Sequence, residues 1–99
     1  MMQIKIGYEQ FNWLSMMDNA NDFLNEMIEE SMFLYSQKQS PPVKYLPSIA
    51  NRYDFRCYLN SQVISDLDFW ARKYFVRKSE ILRGLIVKAY EESVIQKTE

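Results

Sequence analysis

Histidine is absent from the 99-residue sequence, cysteine occurs once, glycine twice and proline three times. Each shortage removes a class of function. Without histidine the usual general base is missing, and so is every Ser-His or Cys-His arrangement. With Cys57 as the sole thiol there is neither an internal disulfide nor a zinc ligand set. No enzyme, metal site or other cofactor is therefore expected. No apolar run approaches the length of a bilayer span, and the start MMQIKIGYEQ lacks the long apolar core of a secretory signal. A cytoplasmic protein with no membrane partner is the expectation. Scarce glycine and proline beside 15% aromatic residues indicate a folded, mainly α-helical chain rather than a disordered one. Ninety-nine residues allow one small domain, or one with an arm, and no internal repeat is evident.

Charge is nearly balanced in total but not in distribution. The formal net charge is -1. Residues 1–43 carry Lys5 and Lys38 against Glu9, Asp18, Asp22, Glu26, Glu29 and Glu30, a net -4, whereas residues 44–99 carry ten basic and seven acidic side chains, a net +3. Such an asymmetry is expected when one part of a chain meets phosphate and the other does something else.

The basic half contains the most informative stretch, Tyr53 to Glu92. Phe55, Cys57 and Leu59 alternate with Asp54, Arg56 and Tyr58, the period of a strand with one dry face. From Val63 the period becomes helical. Val63, Leu67, Trp70 and Tyr74 share a stripe, and Asn60 or Ser61 stands where a side-chain cap belongs. After a break around Phe75 to Lys78, the residues Ile81, Leu82, Leu85, Ile86, Ala89 and Tyr90 make a second stripe, too broad for one small partner helix. Gly84 lies inside that helix, where it costs about 1 kcal/mol relative to alanine. Close approach of another helix and simple tolerance on an exposed face both explain it.

The order strand, helix, helix with VRKSEILRGLI at the second turn and LNSQVISDLDFWA at the strand exit resembles the ribbon-helix-helix DNA-binding family, the MetJ and Arc type of repressor, over about residues 55–92. Two positions depart from the family pattern. Phe75 stands where the family usually has glycine, and Arg77 where it has a small hydroxyl cap.

The resemblance implies a ribbon-helix-helix dimer, mainly α, in which two copies pair their strands antiparallel. Phe55, Cys57, Leu59, Leu67, Trp70, Ile81, Leu82, Leu85 and Ile86 would then line the dimer core. Asp54, Arg56 and Tyr58 would project from a two-stranded ribbon of the kind that enters the major groove and contacts base edges. Arg77, Lys78 and Ser79 would meet backbone phosphate at a helix N-terminus, where N–H groups are unpaired and the dipole is positive. A lone strand and two helices also give a physical reason for a homodimer, since one copy leaves strand edges and apolar helix surface uncovered.

The N-terminal half reads less clearly. Ile4, Ile6 and Tyr8 alternate with Gln3, Lys5 and Gly7, a short strand or a frayed terminus. A helix from Glu9 carries Phe11 and Leu14, and DNAND at 18–22 breaks it. Residues 22–38 place Phe23, Leu24, Met27, Ile28, Ser31, Leu34 and Tyr35 on one amphipathic face, either a docking surface for a protein partner or ordinary core. Ser40, Pro41, Pro42 and Pro47 make an extended connection. Lys44 and Arg52 flank it as an ordinary solvated linker or as a basic arm for DNA. The expected division is an acidic helical arm over 1–50 and a DNA-binding domain over 51–99. The expected function is a sequence-specific transcriptional regulator, a repressor acting on double-stranded DNA. The alternatives are an antitoxin or plasmid-maintenance protein whose arm binds a protein, and an interaction module that does not bind DNA.

Overall fold

The computed structural model describes residues 2–36 and 52–98. The elements run β1 (Met2–Gly7), α1 (Tyr8–Ser15), α2 (Ala20–Ser36), β2 (Arg52–Cys57), α3 (Ser61–Tyr74) and α4 (Lys78–Thr98). The order strand, helix, helix thus occurs twice in one chain, although the two sequences show no evident repeat. The expected connection from Ser40 to Pro47, Lys44 included, lies outside the described residues.

The strands form one antiparallel two-stranded sheet, with Met2 opposite Cys57, Gln3 opposite Arg56, Ile4 opposite Phe55, Lys5 opposite Asp54, Ile6 opposite Tyr53 and Gly7 opposite Arg52. This corrects the expectation that a second copy supplies the pairing strand. β2 finds its partner in the N-terminus of its own chain, so the physical reason given for a homodimer falls away. The alternation at Ile4 and Ile6 is a real strand. Both side chains are fully buried, while Gln3 and Lys5 between them are exposed.

Local signals shape the second unit. The Asn60 side chain accepts a 2.9 Å hydrogen bond from Val63 N–H at the start of α3, as a helix cap should. Val63, Leu67 and Trp70 of the expected stripe are buried, together with Ala71, and Tyr74 is half-buried. The helix closes on Phe75, which is left-handed at φ 57°, ψ 44°, with Val76 N–H donating to Ala71 C=O at 3.0 Å. Glycine would adopt this conformation without steric cost. In α4 every residue from Ile81 to Ile86 is buried, Gly84 among them. This helix packs on α3, α1 and β1, so the broad stripe is covered from several sides and the glycine allows close approach.

The first unit relies on aromatic packing instead. α1 starts directly at Gly7 with no side-chain cap. Phe11 lies with its ring centroid 5.4 Å from that of Tyr53 and 6.3 Å from that of Phe55, and Tyr8 is 5.5 Å from Tyr53. Trp13 meets Phe23 and Tyr90 edge-on, each at 5.5 Å, and so joins α1 to α2 and α4. Leu24 and Ile28 of α2 are fully buried. Part of the amphipathic face of α2 is therefore core, whereas Phe33 and Leu34 near its end remain exposed.

One hydrophobic cluster contains Ile4, Ile6, Leu14, Leu24 and Ile28 together with Cys57, Leu67, Leu82 and Ile86. The expected boundary near residue 50 does not separate two cores. The expected acidic arm supplies a strand and two helices to the shared interior. The residues assigned to a dimer core all lie in or against this intrachain core, Phe55 being half-buried. Full burial of each such side chain contributes about 1.5 to 3 kcal/mol. Among the described residues no helix is long and apolar enough to cross a membrane.

Candidate nucleic-acid interface

The pleat of the ribbon sorts its side chains by face. Met2, Ile4, Ile6, Phe55 and Cys57 turn toward the helices and belong to or pack against the core. On the other face Gln3, Lys5, Asp54 and Arg56 are exposed. The register sets Gln3 opposite Arg56 and Lys5 opposite Asp54, so the face carries two cations, one anion and one amide. Asp54 falls within the ribbon, at the register position opposite Lys5.

Tyr58, one residue past β2, is 62% exposed, yet its backbone is held. Its N–H donates to Asn21 Oδ1 at 3.0 Å and its C=O accepts from Asn25 Nδ2 at 3.2 Å. Asn60 N–H donates to Asn25 Oδ1 at 2.9 Å, and Asn60 Nδ2 reaches Glu29 Oε1 at 3.5 Å. Asn21, Asn25 and Glu29 are four residues apart and so share one side of α2. They fasten the loop that carries Tyr58 and caps α3. The ribbon is also anchored from the other unit. Arg83, only 5% exposed, donates from Nε to the Lys5 carbonyl at 2.6 Å. Both bracing contacts fix the ribbon backbone and leave its outward side chains unencumbered, the preorganisation that a reading surface requires.

Cys57 contributes nothing to this surface. It is fully buried, with its Sγ 3.4 Å from the Met2 carbonyl, and burial raises the thiol pKa above its ordinary value of 9.0. A buried thiol of that kind is a poor nucleophile.

Arg77, Lys78 and Ser79 form a second group at the α3–α4 turn. Arg77 is exposed, and Lys78 and Ser79 are half-buried. The Arg77 carbonyl accepts from Glu80 N–H at 3.0 Å and Ile81 N–H at 3.3 Å, so Arg77 occupies the capping position. Its guanidinium has no acceptor with which to cap. Phe75, 94% exposed, shares a shallow hollow with Arg72, Val76, Arg77 and Lys78. Arg72 is ion-paired with Asp68 at 2.9 Å. This surface has the cations and the helix start that suit a phosphate oxygen.

Sequence reasoning missed Gln3 and Lys5 as outward ribbon residues, and missed Asn21 and Asn25 as braces. The signal for the first pair was present in the alternation around Ile4 and Ile6. The braces carry no local signal, because their partners lie more than thirty residues away. Among the described residues no group of three or more metal-binding side chains comes together. No family model matches the chain, and no curated protein or solved structure is significantly similar to it.

Proposed function

We propose that this chain binds duplex DNA by laying the β1–β2 ribbon in the major groove and represses transcription from the site it occupies. The ribbon-helix-helix reading is kept in this proposal, with both strands drawn from one chain. A single observation carries it: an antiparallel ribbon whose inner face is committed to the core while its outer face presents Gln3, Lys5, Asp54 and Arg56. Two-stranded ribbons fit the major groove. There arginine or lysine bonds the O6 and N7 acceptors of guanine, glutamine the N6 and N7 edge of adenine, and a carboxylate the amino group of cytosine. Tyr58 adds a phenol able to reach a thymine methyl or a phosphate. Arg77, Lys78 and Ser79 act as the backbone clamp. The net charge of -1 sets a modest nonspecific affinity, so most of the discrimination falls to the ribbon.

Selection of bound duplexes from a random pool, followed by titrations of the selected and a scrambled duplex over a salt series, tests the proposal. Arg56→Ala should cost about 1 to 3 kcal/mol on the selected site and relax one base position. Lys78→Ala should weaken both duplexes alike and lower the salt slope by about one unit. If both variants bind as the parent does, the ribbon is not the reader. The exposed Phe33 and Leu34 beside Glu29 and Glu30 on α2 favour the remaining account, a surface for a protein partner.

A further inference from the structure

We infer that the DNA element recognised by this ribbon is non-palindromic and is occupied by one chain. The inference rests on the DNA-binding reading above and extends it to the kind of site bound. A homodimeric ribbon carries the same side chains on both strands, related by a two-fold axis, so it asks each half of the groove the same question in reverse order. The strands of this ribbon differ. Across the sheet, glutamine meets arginine and lysine meets aspartate. The two-fold through the Ile4–Phe55 pair takes Lys5 onto Arg56, a cation onto a cation, but Gln3 onto Asp54, an amide onto a carboxylate. One strand offers an amide and an ammonium, and the other a guanidinium and a carboxylate. Under major-groove chemistry both cations ask for guanine, but the amide asks for adenine and the carboxylate for cytosine, so the two strands differ at that position.

The surroundings of the ribbon are equally unlike. The second helix of the C-terminal unit starts after Arg77 with Lys78 and Ser79. The second helix of the N-terminal unit starts after Asp18 and Asn19, with Ala20, Asn21 and Asp22. Carboxylates at the latter start repel phosphate, and its Asn21 is already bonded to Tyr58 N–H. Backbone attraction is therefore one-sided. Charge and side-chain chemistry both break the symmetry, and they do so independently.

The length of the element follows from the strands. Each has six residues, about 20 Å at roughly 3.3 Å per residue. DNA rises 3.4 Å per base pair, so the ribbon spans about six base pairs. The outward positions on one strand are two residues, about 6.6 Å, apart and so address base pairs about two steps apart.

The experiment applies the full chain to a random duplex pool and determines the enriched motif. The number of chains on that duplex is then measured by native mass spectrometry. The expected result is a short motif without dyad symmetry bound by one chain, or direct repeats of it bound by one chain each. Gln3→Ala and Arg56→Ala should each relax a single, different motif position and weaken binding to the selected duplex about 5- to 150-fold. Circular dichroism of both variants should match the parent, since both side chains are exposed. An inverted-repeat motif bound by two chains, with each substitution affecting two dyad-related positions, overturns the inference while leaving DNA binding intact. Failure of the parent chain to enrich any duplex overturns the DNA-binding reading and this inference with it.

Discussion

The first unit, residues 2–36, and the second, residues 52–98, reach the same element order by different means. The second is written in local signals: a capping asparagine, a four-turn amphipathic helix, a left-handed stop and a helix buried over six consecutive residues. The first has an eight-residue helix with no side-chain cap and a stack of aromatic rings. One unit would declare its structure to any neighbour. The other acquires its shape largely from what it packs against. The difference shows that a repeated architecture needs no repeated sequence, provided that the apolar faces meet in the same place.

The largest expected effect comes from treating the first unit as dispensable. Deleting residues 1–7 removes Ile4 and Ile6 and leaves β2 without a partner, so the remaining chain should lose cooperative thermal unfolding followed by circular dichroism. A detachable arm would leave that transition intact. At single positions, Ile28→Ala in the first unit and Leu82→Ala in the second should each cost about 2 to 5 kcal/mol in chemical denaturation, since both side chains are fully buried. A cost below 1 kcal/mol for Ile28→Ala alone would place the two units in separate cores.

Smaller effects sharpen the contrast in capping. Asn60→Ala removes the α3 cap and the backing contact to Glu29; a loss of about 1 kcal/mol is expected. Phe75→Gly should act in the opposite direction. Relief of the left-handed phenylalanine, partly offset by the greater freedom of glycine when unfolded, should raise stability by about 0.5 to 1 kcal/mol. An unchanged or lowered denaturation midpoint would mean that the 94% exposed ring has a packing role. The last effect is one of pH. Burial raises the folded pKa of Cys57, so folded chains hold the thiol proton more tightly than unfolded ones. That contribution to stability is complete below the ordinary thiol value of 9.0 and is lost as pH rises through the folded value. Cys57→Ala should abolish that part of the alkaline decline in a pH series of thermal melts.

How much of this was legible follows from the same contrast. Residues 55–92 were readable because each feature is encoded within a few positions. The alternation at Phe55, Cys57 and Leu59 gave the strand and Asn60 or Ser61 the cap, whereas the left-handed position at Phe75 was legible only through the glycine usual in the resembled family. The strand at Ile4 and Ile6 was visible as a pattern, but its partner was not. Pairing with Phe55 and Tyr53 is a choice among all available edges, and sequence periodicity is silent on it. Without that partner, periodicity alone points to a second copy for the missing strand and gives no reason to place Gln3 and Lys5 on the outward face. Asn25 and Arg83 were hidden for a related reason. Each is a polar residue on a helix, and only the folded chain shows that one grips the Tyr58 carbonyl and the other the Lys5 carbonyl.

The covalent connection between the two strands changes how the ribbon responds to scarcity. Two separate copies must find each other, and below their dissociation constant their ribbon ceases to exist. Here both strands belong to one covalent chain, so their encounter is intramolecular at any protein concentration. Assembly of the ribbon is then independent of copy number, and a handful of molecules would hold a handful of complete ribbons. The covalent link also frees the strands genetically. A substitution at Gln3 or Lys5 alters one side of the ribbon alone, whereas in a homodimer the same change would appear on both.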